Sequence, residues 1–282
     1  MPPDCPIHID AYTGLLGAFT SRVGLYAMKT WKDYELTVNG LTQHVQYNQE
    51  TVEKFFMPLL GRLSEMYRAK RRRIILFLVA PPATGKSTLT LFLEKLSKEN
   101  KNLIPVQAVG MDGFHYHADF IKNHFVTRNG EKLPMSEVKG CPETFDVKKL
   151  RQKLSALREG ATTFPIYDRK IHDVIEDAAQ VDGKIVLFEG NWLLLKDERW
   201  KDLRQFADYT LMIRADKSIL KQRLIQRKMQ GGSTLEEATS FYEKSDSYNV
   251  ERTLNDSLNA DETWEMQEDN DYVTLHEGGI VK

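Results

Sequence analysis

Cysteine is scarce: Cys5 and Cys141 are the two in 282 residues. Two thiols cannot build a disulfide framework, and their scarcity fits a reducing cytosol. A long apolar run is missing as well. No window has both the length and the hydrophobicity to cross a bilayer, so no membrane role is expected. The opening residues, Met1-Pro2-Pro3-Asp4-Cys5-Pro6, lack the basic-then-apolar order of a secretory signal, and a cytoplasmic location is expected. An excess of one charge is also missing, with 39 basic residues against 40 acidic ones. That balance gives nucleic acid no electrostatic footing as a partner. The short basic cluster from Lys70 to Arg73 reads as a solvated helix end. No internal repeat is detectable. Apolar residues make up 41% of the chain, enough for one large domain or one domain with an appendage.

Against that background one stretch is dense in signals. Ile74 to Val79 is an unbroken apolar run. Ala80-Pro81-Pro82-Ala83-Thr84-Gly85-Lys86-Ser87 follows, and then a helical pattern with Leu89, Phe92, Leu93 and Leu96 on one face. Buried strand, tight loop, amphipathic helix is the context a phosphate-binding loop requires. The loop fits G-x-x-x-x-G-K-[ST] except at its first position, where Ala80 stands. Backbone amides of such a loop converge on one point, and the helix dipole adds positive potential there. Gly85 lets the chain curl without a Cβ in the way. Lys86 can reach the β- and γ-phosphates of a nucleotide, and the Ser87 hydroxyl can ligate Mg²⁺. Pro81 and Pro82 have no N–H, so the cradle runs from Ala83 through Thr88. A chance Gly-Lys-Ser after a strand is the competing reading, and the flanking pattern weighs against it.

Before this stretch, residues up to about 70 read as an N-terminal appendage. A short helix is expected around Leu15 to Leu25. Two β-rich runs, Tyr34 to Val38 and Leu41 to Tyr47, are joined by Asn39-Gly40, a strong hairpin signal. Gln49 to Lys70 reads as a helix that Pro58 would kink. The hairpin's free edge is one surface through which a homo-oligomer could form.

After it, residues 71–282 read as a nucleotide-binding domain with a lid around 228–250. Leu103 to Val109 reads as a strand ending in Gly110-Met111-Asp112-Gly113-Phe114. An acid at the carboxyl end of a strand beside a phosphate loop lies where open α/β sheets bind ligands. Asn123 to Pro142 reads as a long loop, Val147 to Arg158 as a helix, and the residues after His172 as an acidic connector. Lys184 to Phe188 is a buried strand ending in Glu189, as the metal-handling element of phosphate-loop enzymes requires. Tyr209 to Ile213 and Tyr272 to Leu275 read as further strands. Ser218 to Met229 reads as a helix with Arg223 and Arg227 on one face. Strands alternate with helices, so the fold class is α/β with a mostly parallel sheet.

The ordered set of motifs resembles the uridine kinase, phosphoribulokinase and bacterial pantothenate kinase group of P-loop kinases. Asp112-Gly113-Phe114 is similar to the group's Asp-x-Phe element. Pro142-Glu143-Thr144-Phe145-Asp146 and Pro165-x-Tyr167-Asp168-x-x-x-His172 are similar to two elements of uridine kinases. Phe188-Glu189-Gly190 resembles the Glu-Gly that ends a core strand. Ala215-Asp216, with Arg223, Leu224 and Arg227, resembles the run into the lid. Glu189 to Leu195 is similar to a run in uncharacterised kinase-like proteins of the group. The resemblance spans about residues 73 to 255.

It implies a P-loop NTPase core with a five-stranded, mostly parallel sheet flanked by helices, beside the N-terminal hairpin and helix. It implies ATP with Mg²⁺, and phosphoryl transfer to a hydroxyl of a small-molecule acceptor, nucleoside or sugar-like. Lys86 and Ser87 would hold phosphates and Mg²⁺. Asp112 would take or orient the acceptor hydroxyl's proton, and Glu189 would hold a metal-bound water. Tyr167 and His172 would touch the acceptor, with Asp168 and Arg169 beside them. Arg223 and Arg227 would approach the phosphates as the lid closes. Departures are visible too. His115 resembles a phosphoribulokinase Phe-His, whereas Tyr116 resembles the pantothenate kinase Asp-Gly-Phe-x-Tyr. Arg169 replaces an aromatic or aliphatic residue, and the lid carries Lys228-Met-Gln-Gly-Gly-Ser. A mixed acceptor pocket is expected, with His115 and Tyr116 in it.

Blander readings stand beside these. Asp112 could cap a turn, Glu189 could pair with a buried cation, and Arg223 and Arg227 could sit on a solvated face. His115, His117 and His124 lack a partner to complete a zinc set. A nucleotide-binding regulatory protein, or an NTP hydrolase on a kinase-like core, is the alternative function.

Overall fold

The structure is a computed structural model that describes residues 29–38, 41–128, 130–276 and 279–281. The helix expected around Leu15 to Leu25 and the Asn39-Gly40 turn lie outside these residues. β1 (Trp31–Val38) and β2 (Leu41–Asn48) pair antiparallel as a hairpin. A helical stretch follows over 49–70, interrupted by a π turn at Val52–Phe56. The interruption falls just before Pro58, whose missing N–H cannot serve the regular ladder.

β3 (Ile74–Val79) is buried along its whole length and leads through the phosphate loop into the loop helix, Lys86–Glu99. β4 (Val106–Gly110) ends in a 3₁₀ turn, Met111–Phe114. The stretch expected to be a long loop contains a small hairpin of β5 (Phe125–Arg128) and β6 (Glu131–Pro134). Val126, Met135, Val138 and Cys141 give it a small core of its own. Asp146 caps the helix Val147–Glu159 by accepting from the Lys149 amide. β7 (Thr162–Asp168) turns back into β8 (Asp173–Val181), so the expected acidic connector is instead a strand.

β9 (Ile185–Gly190) and β10 (Tyr209–Ala215) complete the centre of the sheet. The helix Lys217–Gln230 and a helical stretch over 235–255 come next. Then come β11 (Glu262–Met266), β12 (Tyr272–His276) and β13 (Gly279–Val281). The sheet runs β13-β12-β11-β10-β3-β9-β4. β11, β10, β3, β9 and β4 are mutually parallel, and β12 and β13 add antiparallel to the edge. The fifth parallel strand is therefore β11, a segment with no strong strand signal. β12 is antiparallel because the connection from Met266 to Tyr272 is a tight turn, too short for a crossover. No helix among the described residues is long and apolar enough to cross a membrane.

The hairpin and the first helix share the core of the sheet. Tyr47 stacks on Phe92 of the loop helix at 4.1 Å, and Tyr34 meets the same ring edge-on at 4.6 Å. Phe56 packs against Trp264 and Tyr272 at 5.6 and 5.7 Å. Each such aromatic pair adds about 0.5–1.5 kcal/mol beyond the apolar area it buries.

The basic cluster is not a solvated helix end. Lys70, Arg72 and Arg158 converge on Asp208, whose side chain is 2% exposed. Asp208 also accepts the Ile75 amide. Arg73 donates to the carbonyls of Leu157, Gly160 and Gly183. Burial alone would raise the Asp208 pKa, but hydrogen bonds from Arg72, Lys70, the Ile75 amide and Arg158 outweigh it and hold the carboxyl well below the usual range. This stabilisation is complete above the unfolded-state value near 4 and disappears as pH falls through the depressed native one. Asp208→Ala should cost about 3 kcal/mol in urea unfolding at neutral pH, with the deficit shrinking below about pH 4. A deficit that persists unchanged into strong acid would show that the ion cluster is not its source.

Candidate active site

The phosphate loop takes its shape from two left-handed residues, Ala83 at φ 67° and Gly85 at φ 83°. Ala80, where the motif expects glycine, needs no such conformation, and the strain falls on Ala83 instead. Thr84 is buried and ties the loop by donating to the Pro81 carbonyl at 2.9 Å. Gly85 caps the loop helix, and Lys86 is its first residue.

Sheet order brings the acids to this loop. β9 lies between β3 and β4, with Glu189 level with Leu78 on one side and Gly110 on the other. Glu189 thus sits between the loop that follows β3 and the turn that follows β4. Ser87 donates to its Oε1 at 2.5 Å. Glu189 is 7% exposed. Burial raises its pKa, Lys86 opposes the rise, Asp112 adds to it, and Ser87 and Arg169 oppose it. Lys86, Ser87, Asp112, Arg169 and Glu189, far apart in sequence, therefore form one electrostatic group. Asp112 lies in the 3₁₀ turn with its side chain exposed, as a group that must meet a ligand would be.

The site can accommodate Mg²⁺. Ser87 and Glu189 offer hard oxygen donors side by side, and the buried carboxylate has a hydroxyl as its hydrogen-bond partner. No cluster of three or more His, Cys, Asp or Glu side chains that could hold a metal occurs among the described residues. That is the ordinary situation for Mg²⁺, which binds one or two carboxylates and completes its shell with phosphate and water.

On the acceptor side the expected residues separate. His115 is buried, stacks on Phe145 at 3.8 Å, and its Nδ1 lies 3.2 Å from both the Thr144 carbonyl and the Thr144 hydroxyl. Burial drives its pKa down to about 4 against the pull of Asp112, so the ring is neutral at pH 7. Tyr167 lies 5.9 Å from it. Tyr116 does not join them. It stacks on Phe120 at 4.2 Å and lines a separate cleft with Phe145, Arg151 and Arg199. Successive residues in extended backbone point to opposite sides, so His115 and Tyr116 cannot both face one pocket. Asp168 accepts the amides of Lys170 and Ile171 and so shapes the β7–β8 turn. His172 is exposed in that turn, at φ 54°.

The arginines separate too. Arg223 donates to the Ala83 carbonyl at 3.3 Å and reaches the loop. Arg227, one turn on, is exposed, and its charge acts on the partly buried Asp246.

Three further residues stand at positions that no motif specifies. Lys139 donates to the Tyr167 hydroxyl at 2.7 Å and to the His172 carbonyl at 3.4 Å. Its position in a Gly-bearing loop gave no signal. Thr144 anchors His115 from within the Pro-x-x-Phe-Asp element. Asn249 is 3% exposed, and its Oδ1 has no hydrogen-bond partner among the described residues.

Comparison with known proteins places this arrangement. No family model matches the chain. The uncharacterised protein YggC of Escherichia coli (strain K12) is 44% identical over 239 residues, covering 84% of this chain and 97% of that one. C227.14 of Schizosaccharomyces pombe (strain 972 / ATCC 24843), a proposed uridine kinase, is 29% identical over 68% of this chain and 82% of that one. Among solved structures, a proposed fructose transport system kinase from Silicibacter sp. TM1040 superposes with a TM-score of 0.60 at 29% identity, over 68% of this chain and 90% of that one. The chain belongs to one family with YggC, and its further relatives are P-loop kinases of the uridine kinase and pantothenate kinase group. The group's α/β fold, with its central mostly parallel sheet and flanking helices, is the fold found here.

Gly113 holds the two halves of the site together. A Cβ there would lie 2.0 Å from the Pro165 carbonyl oxygen, so only glycine lets β7 pack on the Asp112 turn. Gly113→Ala should lower stability by about 1–3 kcal/mol and move Tyr167 away from Asp112. Its Mg-ATP affinity should stay near that of the wild type, because the phosphate loop is untouched. Calorimetric titration together with urea unfolding measures both effects. A melting curve identical to wild type would contradict the close packing.

Proposed function

We propose that the chain is an ATP- and Mg²⁺-dependent kinase that transfers the γ-phosphoryl group to a hydroxyl of a small nucleoside- or sugar-like metabolite. One observation carries this reading: a buried carboxylate, Glu189, in hydrogen-bond contact with the phosphate-loop Ser87, and an exposed carboxylate, Asp112, acting on the same centre. A phosphate loop alone fits any NTPase. A second acid at the neighbouring strand end, close enough for its charge to act on both Glu189 and His115, fits transfer to an acceptor other than water.

In this reading the loop amides from Ala83 to Thr88 and Lys86 bind the phosphates. Arg223 approaches them from the helix that follows β10. Ser87 and Glu189 would hold Mg²⁺, which would supply charge neutralisation to the phosphates. Asp112 accepts the proton of the acceptor hydroxyl as its oxygen bonds to the γ-phosphorus. The bond to the bridging oxygen breaks, leaving ADP and a phosphomonoester. Tyr167, its hydroxyl held by Lys139, and neutral His115 orient the acceptor. Phosphoryl transfer gains most from positioning and charge stabilisation, so Lys86 should matter at least as much as Asp112.

Two substitutions test this. Lys86→Ala should abolish both Mg-ATP binding and turnover. Asp112→Asn should keep ATP affinity within about threefold while lowering acceptor-dependent ADP formation by about 10²–10⁴-fold. Unchanged transfer in Asp112→Asn would remove the base role from Asp112.

A further inference from the structure

Beside the phosphate loop lies a cavity of about 590 Å³, within the size range of a small-ligand site. One end is formed by Thr84, Gly85, Thr88 and Arg223, the phosphate side. The other end belongs to the amino-terminal hairpin and to the turn between β11 and β12, through Trp31, Asp33, His44, Gln46 and Asn270. None of these residues belongs to a motif of the kinase core.

We propose that the β1–β2 hairpin is the nucleobase wall of the nucleotide site, with Trp31 as the stacking platform and Gln46 and Asn270 as its hydrogen-bonding edge. The proposal rests on the reading of the loop as a nucleotide site and assigns the base-recognising part of it.

The strand register gives the hairpin two distinct faces. Trp31 pairs with Asn48, Asp33 with Gln46 and Glu35 with His44, so these residues share one face. Tyr34 and Val45, with Tyr47, occupy the other; Tyr34 and Tyr47 grip Phe92, and Val45 and Tyr47 also reach the cavity wall. The hairpin therefore stands on the helix whose first turn carries the phosphate loop. Its position relative to the phosphates is fixed by aromatic packing rather than left to a flexible arm.

A second clamp holds the hairpin to the β11–β12 turn. Lys29 bonds Asp269 at 2.6 Å and Asp271 at 2.9 Å, and Asn48 bonds Asp271 at 2.9 Å. On the face shared with Trp31, Gln46 donates to Asp33 at 2.9 Å, which fixes an amide and a carboxylate at a set spacing. An aromatic surface beside an amide held by Asp33 suits a planar heterocycle with donors and acceptors on its rim. Thr84, Gly85 and Arg223 at the far end suit the charged tail of the same molecule.

The test separates base from phosphates. Calorimetric affinities for Mg-ATP and for Mg-tripolyphosphate, which has no base, are measured on the full chain. The wild type is compared with Trp31→Ala, Trp31→Phe, Gln46→Ala and Lys86→Ala. Trp31→Ala should weaken ATP about tenfold or more, the size of one base–aromatic stack, and leave tripolyphosphate within twofold. Trp31→Phe should recover most of the loss, and Gln46→Ala, an exposed position with little bearing on folding, should change the ratio of ATP to GTP affinity. Unchanged ATP affinity and unchanged base preference in Trp31→Ala and Gln46→Ala would overturn the proposal. So would an equal loss of both ligands. In either case, loss of both ligands in Lys86→Ala would leave the nucleotide reading standing. Failure of the wild type to bind either ligand would overturn both.

Discussion

A carboxylate buried at the end of a central strand needs compensation, and the site is built around meeting that need at Glu189. An isolated buried charge costs several kcal/mol, so a cation or donors must stand beside it. Here the Ser87 hydroxyl is in contact, and Lys86 and Arg169 lower the cost from further away. Ser87 and Lys86 come from the helix that follows β3 of the parallel sheet, and Arg169 from the turn of the separate β7–β8 hairpin. Asp112 then works against them by raising the Glu189 pKa, as one acid does to another nearby. A metal ion accompanying a polyphosphate would satisfy both acids at once. Electrostatics and fold thus point to the same edge of the sheet, the crevice at the carboxyl ends of its strands.

Aromatic packing extends that edge into the rest of the molecule. Phe92, on the loop helix, is in contact with Tyr34 and Tyr47 of the hairpin and lies 6.0 Å from Phe56 of the first helix. Phe56 in turn meets Trp264 and Tyr272 on the far strands. The amino-terminal elements are therefore coupled to the phosphate loop through one ring. On the acceptor side Gly113 does a comparable job, since its missing side chain lets the β7–β8 hairpin rest on the Asp112 turn.

What could be read from the sequence was local. The phosphate loop and Glu189 each follow an apolar run that forms a fully buried strand, Asp112 follows a partly buried one, and strand ends on one side of a parallel sheet meet in space. Non-local facts were hidden. Lys70 and Arg72 read as solvated because their partner, Asp208, lies on a distant loop and carries no motif. Lys139 sits in a stretch whose composition reads as loop, and only the fold brings it to Tyr167. Tyr116 was expected beside His115, but backbone alternation after the 3₁₀ turn sends it to a different cleft. β11 escaped because five residues with mixed polarity give a weak period, although Trp264 within it is fully buried. Arg223 and Arg227 share a helix face in sequence, but the loop lies level with the first of them.

The most direct measurement of the central claim is ADP formation from Mg-ATP against nucleosides, sugars, sugar phosphates and pantothenate, with product phosphate followed in parallel. Strong stimulation by one hydroxyl-bearing class is expected, with one phosphomonoester formed per ADP. Tight nucleotide binding with no stimulation by any class, or ADP matched only by free phosphate, would contradict it.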